Sequence, residues 1–306
     1  MKVVMKLNAE GAKRQADKVY IVGEPAKLLD FLLEKLTNKS RNNVKSLLTN
    51  KTVSVDGKTV TRHDHPLWKG QTVTIASKAH MLKKQYNQLN ILYEDDELLA
   101  IDKPAGLLSI ATDDEKEKTA YRLMTEYVRI GNPNGRVFIV HRLDRDTSGV
   151  LISAKNERLK LALQSNWNNL VTTRGYTAIV EDMPKERSGQ ITSWLKETKT
   201  HRTYSSSTAG DGREAVTNYR VIKASNNYAL LKISIETGRK NQIRVHMKDL
   251  CHPIAGDKKY GAKTNPLGRL CLHAELLEFR HPFTDRHMIL KSAVPKSFMG
   301  LPWTSE

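Results

Sequence analysis

Only two of the 306 residues are cysteine, Cys251 and Cys271. No disulfide framework can hold such a chain, and a reducing cytoplasm is its expected home. No run approaches the roughly 18 consecutive apolar residues of a membrane-spanning helix, so no membrane partner is expected. Residues 1–20 mix Lys2, Lys6, Glu10, Lys13 and Asp17 with apolar side chains, and no secretory h-region is present. Aromatics make up only 6%, too few for a broad platform that stacks single strands. P-loop and dinucleotide fingerprints are missing, as are internal repeats. The His-x-Glu and Pro-Cys-x-x-Cys pair of a zinc deaminase is missing too. Cys251-His252 and Cys271-Leu272-His273 lack the usual zinc spacings, so no metal site is expected.

Basic charge is abundant. Lys and Arg number 50 against 33 Asp and Glu, a net +17. Residues 1–85 alone hold 17 basic against 7 acidic residues. A surplus concentrated in this way points to a polyanionic partner, because each cation set against a phosphate releases a condensed counterion. Hydrophobic residues reach 39%, enough for packed cores, and the length suits about two domains at roughly 150 residues each.

The first 78 residues read as a small basic module. Leu28, Leu29, Leu32, Leu33 and Leu36 recur at helical spacing within 26–37. Ser40 caps a second helix, Arg41 to Thr49. Asp56-Gly57 turns a hairpin, and Thr72 to Ile75 forms a strand. Residues 79–89 are polar and weakly patterned, and read as a linker. From Asn90 the elements lengthen. Hairpin strands are expected at 91–93 and 98–102, and a helix at 119–130. Buried strands are expected at 137–140 and 150–153, and a helix capped by Asn156 runs to about Asn169. Strands near 173–180, 215–222 and 229–236 precede a helix at 240–249.

Chemistry concentrates in a few segments. His141-Arg142-Leu143-Asp144-Arg145-Asp146-Thr147-Ser148-Gly149 packs two carboxylates and two guanidiniums into a loop between apolar strands. It lacks the paired Asp-Thr-Gly turns of an aspartic protease, and Ser148 lacks the Gly-x-Ser-x-Gly elbow. The segment 236–247, ETGRKNQIRVHM, offers Arg244 to an anion, either a phosphate or an internal carboxylate. Tyr176 sits in a strand among small and apolar residues.

Taken together, the segments resemble the RluA-type family of RNA pseudouridine synthases. The resemblance is carried by HRLDRDTSG at 141–149, IDKPAGLLSI at 101–110, RGYTAIV at 174–180, TGRKNQIRVHM at 237–247, HPIAGDKKYG at 252–261 and LHAELLEFRHP at 272–282. The N-terminal module is similar to the S-four-type RNA-binding domain of ribosomal proteins. The resemblance implies a mixed α/β (α+β) catalytic fold over 90–306, with a central, mainly antiparallel, bent sheet. It also implies isomerisation of uridine to pseudouridine in RNA, without cofactor or metal.

Asp144 would be the essential carboxylate, acting on the sugar or base or accepting a ribose proton. Arg244 would pair with it and favour its ionised form. Tyr176 would pack on the target base and assist removal of the proton from the new carbon position, which a phenol of pKa about 10 does only if perturbed. Arg142 would fill the space left by the flipped base, and Ile243 would line the pocket. Arg41, Lys45 and Lys51 would dock RNA, ribosomal RNA being favoured and transfer RNA the other candidate. A monomer needing no protein partner is the default. Two positions depart from the family pattern: Asn241 stands where His is common, so no acid–base role is expected there, and Arg174 replaces Lys. A non-catalytic RNA-binding factor on the same fold is the competing reading.

Overall fold

The structure is a computed structural model that describes residues 17–37, 39–49, 52–76, 89–113, 115–129, 132–200 and 202–304. Lys51 and nearly all of the expected linker lie outside the described residues. The chain divides into two compact units, one of Met1–Asn87 with Arg129–Pro133 and one of Gln88–Val128 with Asn134–Glu306.

The first unit contains β1 (Lys18–Ile21), β2 (Ala26–Lys27), α1 (Leu28–Lys35), α2 (Arg41–Thr49), β3 (Val53–Val55), β4 (Lys58–Thr59), β5 (Pro66–Leu67) and β6 (Thr72–Ile75). An antiparallel sheet of order β1-β6-β3-β4 backs the two helices. The leucine spacing of α1 does its expected work: Leu28, Leu29 and Leu32 are buried with Val44 and Leu48 of α2 against Val53, Val55 and Val73. Helix α1 is shorter than its periodicity suggests, because Ala26-Lys27 pairs with Pro66-Leu67. Arg41 and Lys45 lie one turn apart on α2 and are both exposed.

The second unit contains β7 (Asn90–Glu94), β8 (Leu98–Lys103), α3 (Ala120–Val128), β9 (Phe138–Ile139), β10 (Ser148–Ala154), α4 (Glu157–Ser165), α5 (Trp167–Leu170), β11 (Val171–Glu181), β12 (Ser188–Glu197), β13 (Thr203–Ser206), β14 (Arg213–Ala224), β15 (Tyr228–Ile235), α6 (Gln242–Asp249), a 3₁₀ turn (Lys258–Tyr260), β16 (Leu272–Arg280), β17 (His287–Lys291) and α7 (Lys296–Met299). One eleven-stranded sheet runs β13-β12-β14-β15-β11-β16-β10-β8-β7, with β17 beside β16 and β9 beside β10. Every pairing in it is antiparallel except β10 with β16. Strands β12, β13, β16 and β17 are absent from the sequence expectations. In β12 the first residues are exposed and polar, so no alternation marks them. In β16, LHAELLEFR, the period-two signal is hidden by burial on both faces at Leu272, His273 and Ala274. The helix expected from Asn156 is interrupted at Asn166, whose φ of −124° and ψ of 23° separate α4 from α5.

The single parallel pairing is short, Ser148 with His273 and Gly149 with Ala274. It lies where the 141–149 loop enters the sheet. Gly149 has φ +116°, and a Cβ there would stand 2.0 Å from the carbonyl oxygen of Ala274. Both backbone conformation and contact therefore demand glycine. Gly149→Ala is expected to lower unfolding stability by roughly 3 kcal/mol or more. Urea midpoints check this, and a midpoint equal to the parent's would contradict it.

Candidate active site

The loop 141–147 has no regular structure, yet alternate residues are pinned from inside. The His141 Nε2 accepts from the Ile152 backbone N–H at 3.1 Å, and its ring stacks on Trp167 at 5.2 Å. Leu143 exchanges two hydrogen bonds with the Ser109 hydroxyl, at 2.7 and 3.0 Å. The Arg145 carbonyl accepts from Lys103 Nζ at 2.9 Å and from the Gly106 N–H at 3.0 Å. Beyond the loop, the Ser148 hydroxyl accepts from Arg269 at 2.7 Å and lies 2.9 Å from His273 Nδ1. Ser148 and His273 are both buried, so this serine–histidine contact is an anchor and not a nucleophile. These anchors hold the loop backbone in place on either side of Arg142 and Asp144.

Lys103 was not singled out by the sequence reading. It is fully buried, and its ammonium donates to three carbonyls: Leu107 at 2.7 Å, and Pro104 and Arg145 at 2.9 Å. Burial pushes it down to about 8, with the charges of Asp146 and Asp144 opposing. The motif IDKPAG contained it, but nothing in the sequence says that a lysine there ties a loop some forty residues away.

Helix α6 supplies the partner for Asp144. The Arg244 Nη1 donates to Asp144 Oδ2 at 3.2 Å. The same guanidinium grips Asp257 with two better bonds, Nε to Oδ2 at 2.7 Å and Nη2 to Oδ1 at 2.8 Å. Its Nη1 also donates to Asn241 Oδ1 at 3.1 Å. Asp257 is 1% exposed, Arg244 12% and Asp144 29%, so the buried acid fixes the arginine and the arginine presents one N–H to the acid at the cleft. Burial alone would weaken the charge on Arg244. The hydrogen bond and charge of Asp257, and then those of Asp144, outweigh it and hold the guanidinium above its ordinary value.

The helix begins at Gln242 and not at Lys240. Gln242 accepts from the Thr237 hydroxyl at 2.8 Å and the Arg239 N–H at 3.0 Å, and donates to the Val216 carbonyl at 2.9 Å and Thr217 at 3.0 Å. This locks the turn that leaves Asn241 left-handed, at φ 56°. Asparagine tolerates that conformation. Asn241 then bridges, accepting from Arg244 and donating to the Tyr260 hydroxyl at 3.0 Å. Lys240, outside the helix, is exposed and does not share the buried side of Ile243 and Met247. Arg174 donates to the Glu236 carbonyl, tying β11 to the same turn.

A cleft of about 70 Å³ is lined by Arg142, Asp144, Tyr176, Ile243 and Arg244 together with Thr147, Arg239, Asn241 and others. Every expected site residue of this unit thus meets at one place. Asp144 is the only carboxylate among the residues lining it. Tyr176 projects from β11, and desolvation pushes its phenol up to about 12. That shift is opposite to what a base requires, and it favours the protonated phenol. A larger hollow of about 430 Å³ is lined by Asn218, Arg220, Lys232, Glu275 and Lys291, with Tyr176 at its margin. Its carboxylate, Glu275, is already matched by Lys232 and the Thr177 hydroxyl, so it offers no uncommitted acid. The cleft at Asp144 is therefore the candidate site.

The family model of RNA pseudouridylate synthase matches residues 97–249, half of the chain, and spans the 141–149 loop, Tyr176 and Arg244. The chain belongs to the RNA pseudouridine synthase family. Its relatives include the ribosomal large subunit pseudouridine synthase D of Vibrio cholerae, 32% identical over 88% of this chain and 87% of that one. The tRNA pseudouridine synthase C of Haemophilus ducreyi is 35% identical over 70% of this chain and 94% of its own. Among solved structures, human RNA pseudouridylate synthase domain containing 4 is similar with a TM-score of 0.58 and 24% identity, over 71% of this chain and 93% of that chain. That likeness concerns the synthase fold, and it fits the mixed α+β architecture with its large, mainly antiparallel sheet. No helix among the described residues is long and apolar enough to cross a membrane.

Two histidines of the synthase unit are held neutral by the fold, one fully buried and one partly buried. His246 is fully buried between Ser193 at 2.8 Å and Thr217 at 2.9 Å, and desolvation pushes it down to about 4. His141 is pushed down to about 4 by desolvation and then by Arg174. The unfolded chain protonates both near an ordinary value of about 6.5. The stability they confer is therefore complete above that value and lost as pH falls toward 4. The urea midpoint is expected to drop between pH 7 and pH 4.5, by on the order of a few kcal/mol in unfolding free energy. Equal midpoints would contradict the neutral state of these rings.

Proposed function

We propose that this enzyme converts a uridine of ribosomal RNA into pseudouridine, with Asp144 as the acting carboxylate. The observation that carries the reading is the arrangement at the cleft: one carboxylate, held by one N–H of Arg244, with its second oxygen outside that bond. In the reaction the bond from N1 of uracil to C1′ of the ribose breaks, and the base turns. A bond from C5 to C1′ then forms, the hydrogen of C5 leaves as a proton, and N1 takes up a proton, so substrate and product are isomers. Asp144 is the ionisable acid placed to loosen the sugar bond. With Tyr176 protonated, it is also the one carboxylate lining the cleft that can take the C5 proton. Tyr176 and Ile243 pack on the base.

At about 70 Å³ the cleft has room for a few waters and not for a nucleoside. The exposed Arg142 and Arg239 on its rim must move as a base enters. Turning a base out of its stack costs roughly a few kcal/mol, and a guanidinium that takes its place offsets part of that cost. The exposed Arg41–Lys45 face of α2 supports RNA docking by an S-four-type module in the first unit.

The vibrio relative's action on the large ribosomal subunit supports the choice of ribosomal RNA. Unmodified ribosomal and transfer RNAs incubated with the protein and mapped for pseudouridine test it. New pseudouridine in the large-subunit RNA is expected. Modification of transfer RNA alone would move the substrate, and no new pseudouridine in either would leave only an RNA-binding factor.

A further inference from the structure

Next to the cleft, cations from separate elements converge on one ring. Tyr260 is buried in the 3₁₀ turn, with Arg244 5.0 Å and both Arg202 and Lys259 5.8 Å from its ring centroid. Asn241 fixes the Tyr260 hydroxyl, and the Arg202 Nη2 donates to the Lys259 carbonyl at 3.1 Å, which docks the arginine on the turn. Lys240, just ahead of α6, stands close enough to weaken the Lys259 charge and is held by Glu197 from the end of β12. Arg244 is committed to Asp257 and Asp144, whereas Arg202, Lys240 and Lys259 are exposed.

We propose that Arg202, Lys240 and Lys259 form a phosphodiester site that grips the RNA backbone beside the nucleotide turned into the cleft. This rests on the functional reading above: a base that reaches Asp144 carries its flanking phosphates to the rim. The Lys259 ammonium lies below its ordinary value, first through desolvation and then through Arg244, with Lys240 and Arg202 acting in the same sense and Asp144 against them. Cations from separate elements thus gather at this lip, and an arriving anion would relieve their mutual repulsion. The Arg202 fork keeps N–H donors beyond the one given to Lys259, and a phosphate accepts from such a fork in bidentate fashion. Glu197 is the local competitor for Lys240.

The test measures steady-state pseudouridine formation and RNA affinity against salt for the full-length protein. Arg202→Gln and Lys259→Gln are each expected to lower kcat/KM by roughly three- to tenfold, mostly through KM. Each is also expected to make the slope of log affinity against log salt shallower by about 0.7–0.9. Glu197→Gln is expected to move the other way, with KM about two- to threefold lower, because a carboxylate opposing the phosphate is gone. A misfolded variant would not produce that opposite sign. Lys291→Gln, an equal charge change on β17, is expected to alter neither quantity. Unchanged salt slopes in Arg202→Gln and Lys259→Gln, or a raised KM in Glu197→Gln, overturn the lip while the parent still makes pseudouridine. A parent that makes none overturns the functional reading instead.

Discussion

Asp144→Asn is expected to bind RNA about as tightly as the parent protein and to lose turnover by roughly four orders of magnitude. The substitution keeps volume and an oxygen that Arg244 Nη1 can still reach, so the cleft keeps its shape. It removes the only carboxylate charge lining that cleft. The variant should also fold, because Arg244 does not depend on Asp144 for charge compensation: Asp257 holds it by two bonds of 2.7 and 2.8 Å. A stability change under about 1 kcal/mol is expected, as for a partly exposed charge pair. Filter binding and single-turnover product formation separate the two effects. Turnover within tenfold of the parent would remove Asp144 from the chemistry.

Asp257→Asn is expected to produce the second largest loss, although Asp257 touches no substrate. It is the group that decides where Arg244 points. With Asp257 neutral, the nearly buried guanidinium keeps Asp144 as its remaining charged partner in the cluster, and it turns toward it. Asp144 would then be gripped by both oxygens and lose the one outside the Arg244 bond. A fall in kcat of roughly 100-fold is expected, with KM within about threefold, as for removal of a group that orients a functional side chain. Breaking a buried pair also lowers stability by roughly 3 kcal/mol. A purely structural role would reduce the folded fraction and leave kcat per folded molecule unchanged, so activity is compared with active-site titration. In the double variant Asp257→Asn with Arg244→Met, kcat should be no lower than in Arg244→Met alone, because the arginine is the only route by which Asp257 acts. Additive losses would contradict that route.

These effects divide along what a sequence can display. The 141–149 segment is dense in groups whose chemistry shows by type and spacing, and the half that lines the cleft, Arg142 and Asp144, is legible there. The half that aims them is not. His141, Leu143 and Arg145 act through a backbone N–H, a serine hydroxyl and a buried lysine that are distant in the chain. Asp257 appears in the sequence as one acid in a glycine-rich turn. Its weight comes from a contact with Arg244 that only the fold creates. The Tyr176 position was readable, but its protonation was not, since desolvation by the folded cleft sets it. For the fold, the leucine period of α1 and the alternation of β3 were visible because each has one buried face. Strands β12 and β16 lacked that asymmetry, one largely exposed and the other buried on both sides at its start.

The central claim is that C1′ of a uridine moves from N1 to C5 in the cleft at Asp144, and C5 must lose its hydrogen when that happens. RNA carrying tritium at C5 of uridine reports the event directly. The parent protein is predicted to release tritium to water in step with pseudouridine formed, and Asp144→Asn to release none while still holding the RNA. Release from Asp144→Asn at the parent's rate, or none from the parent on ribosomal RNA or transfer RNA, would contradict it.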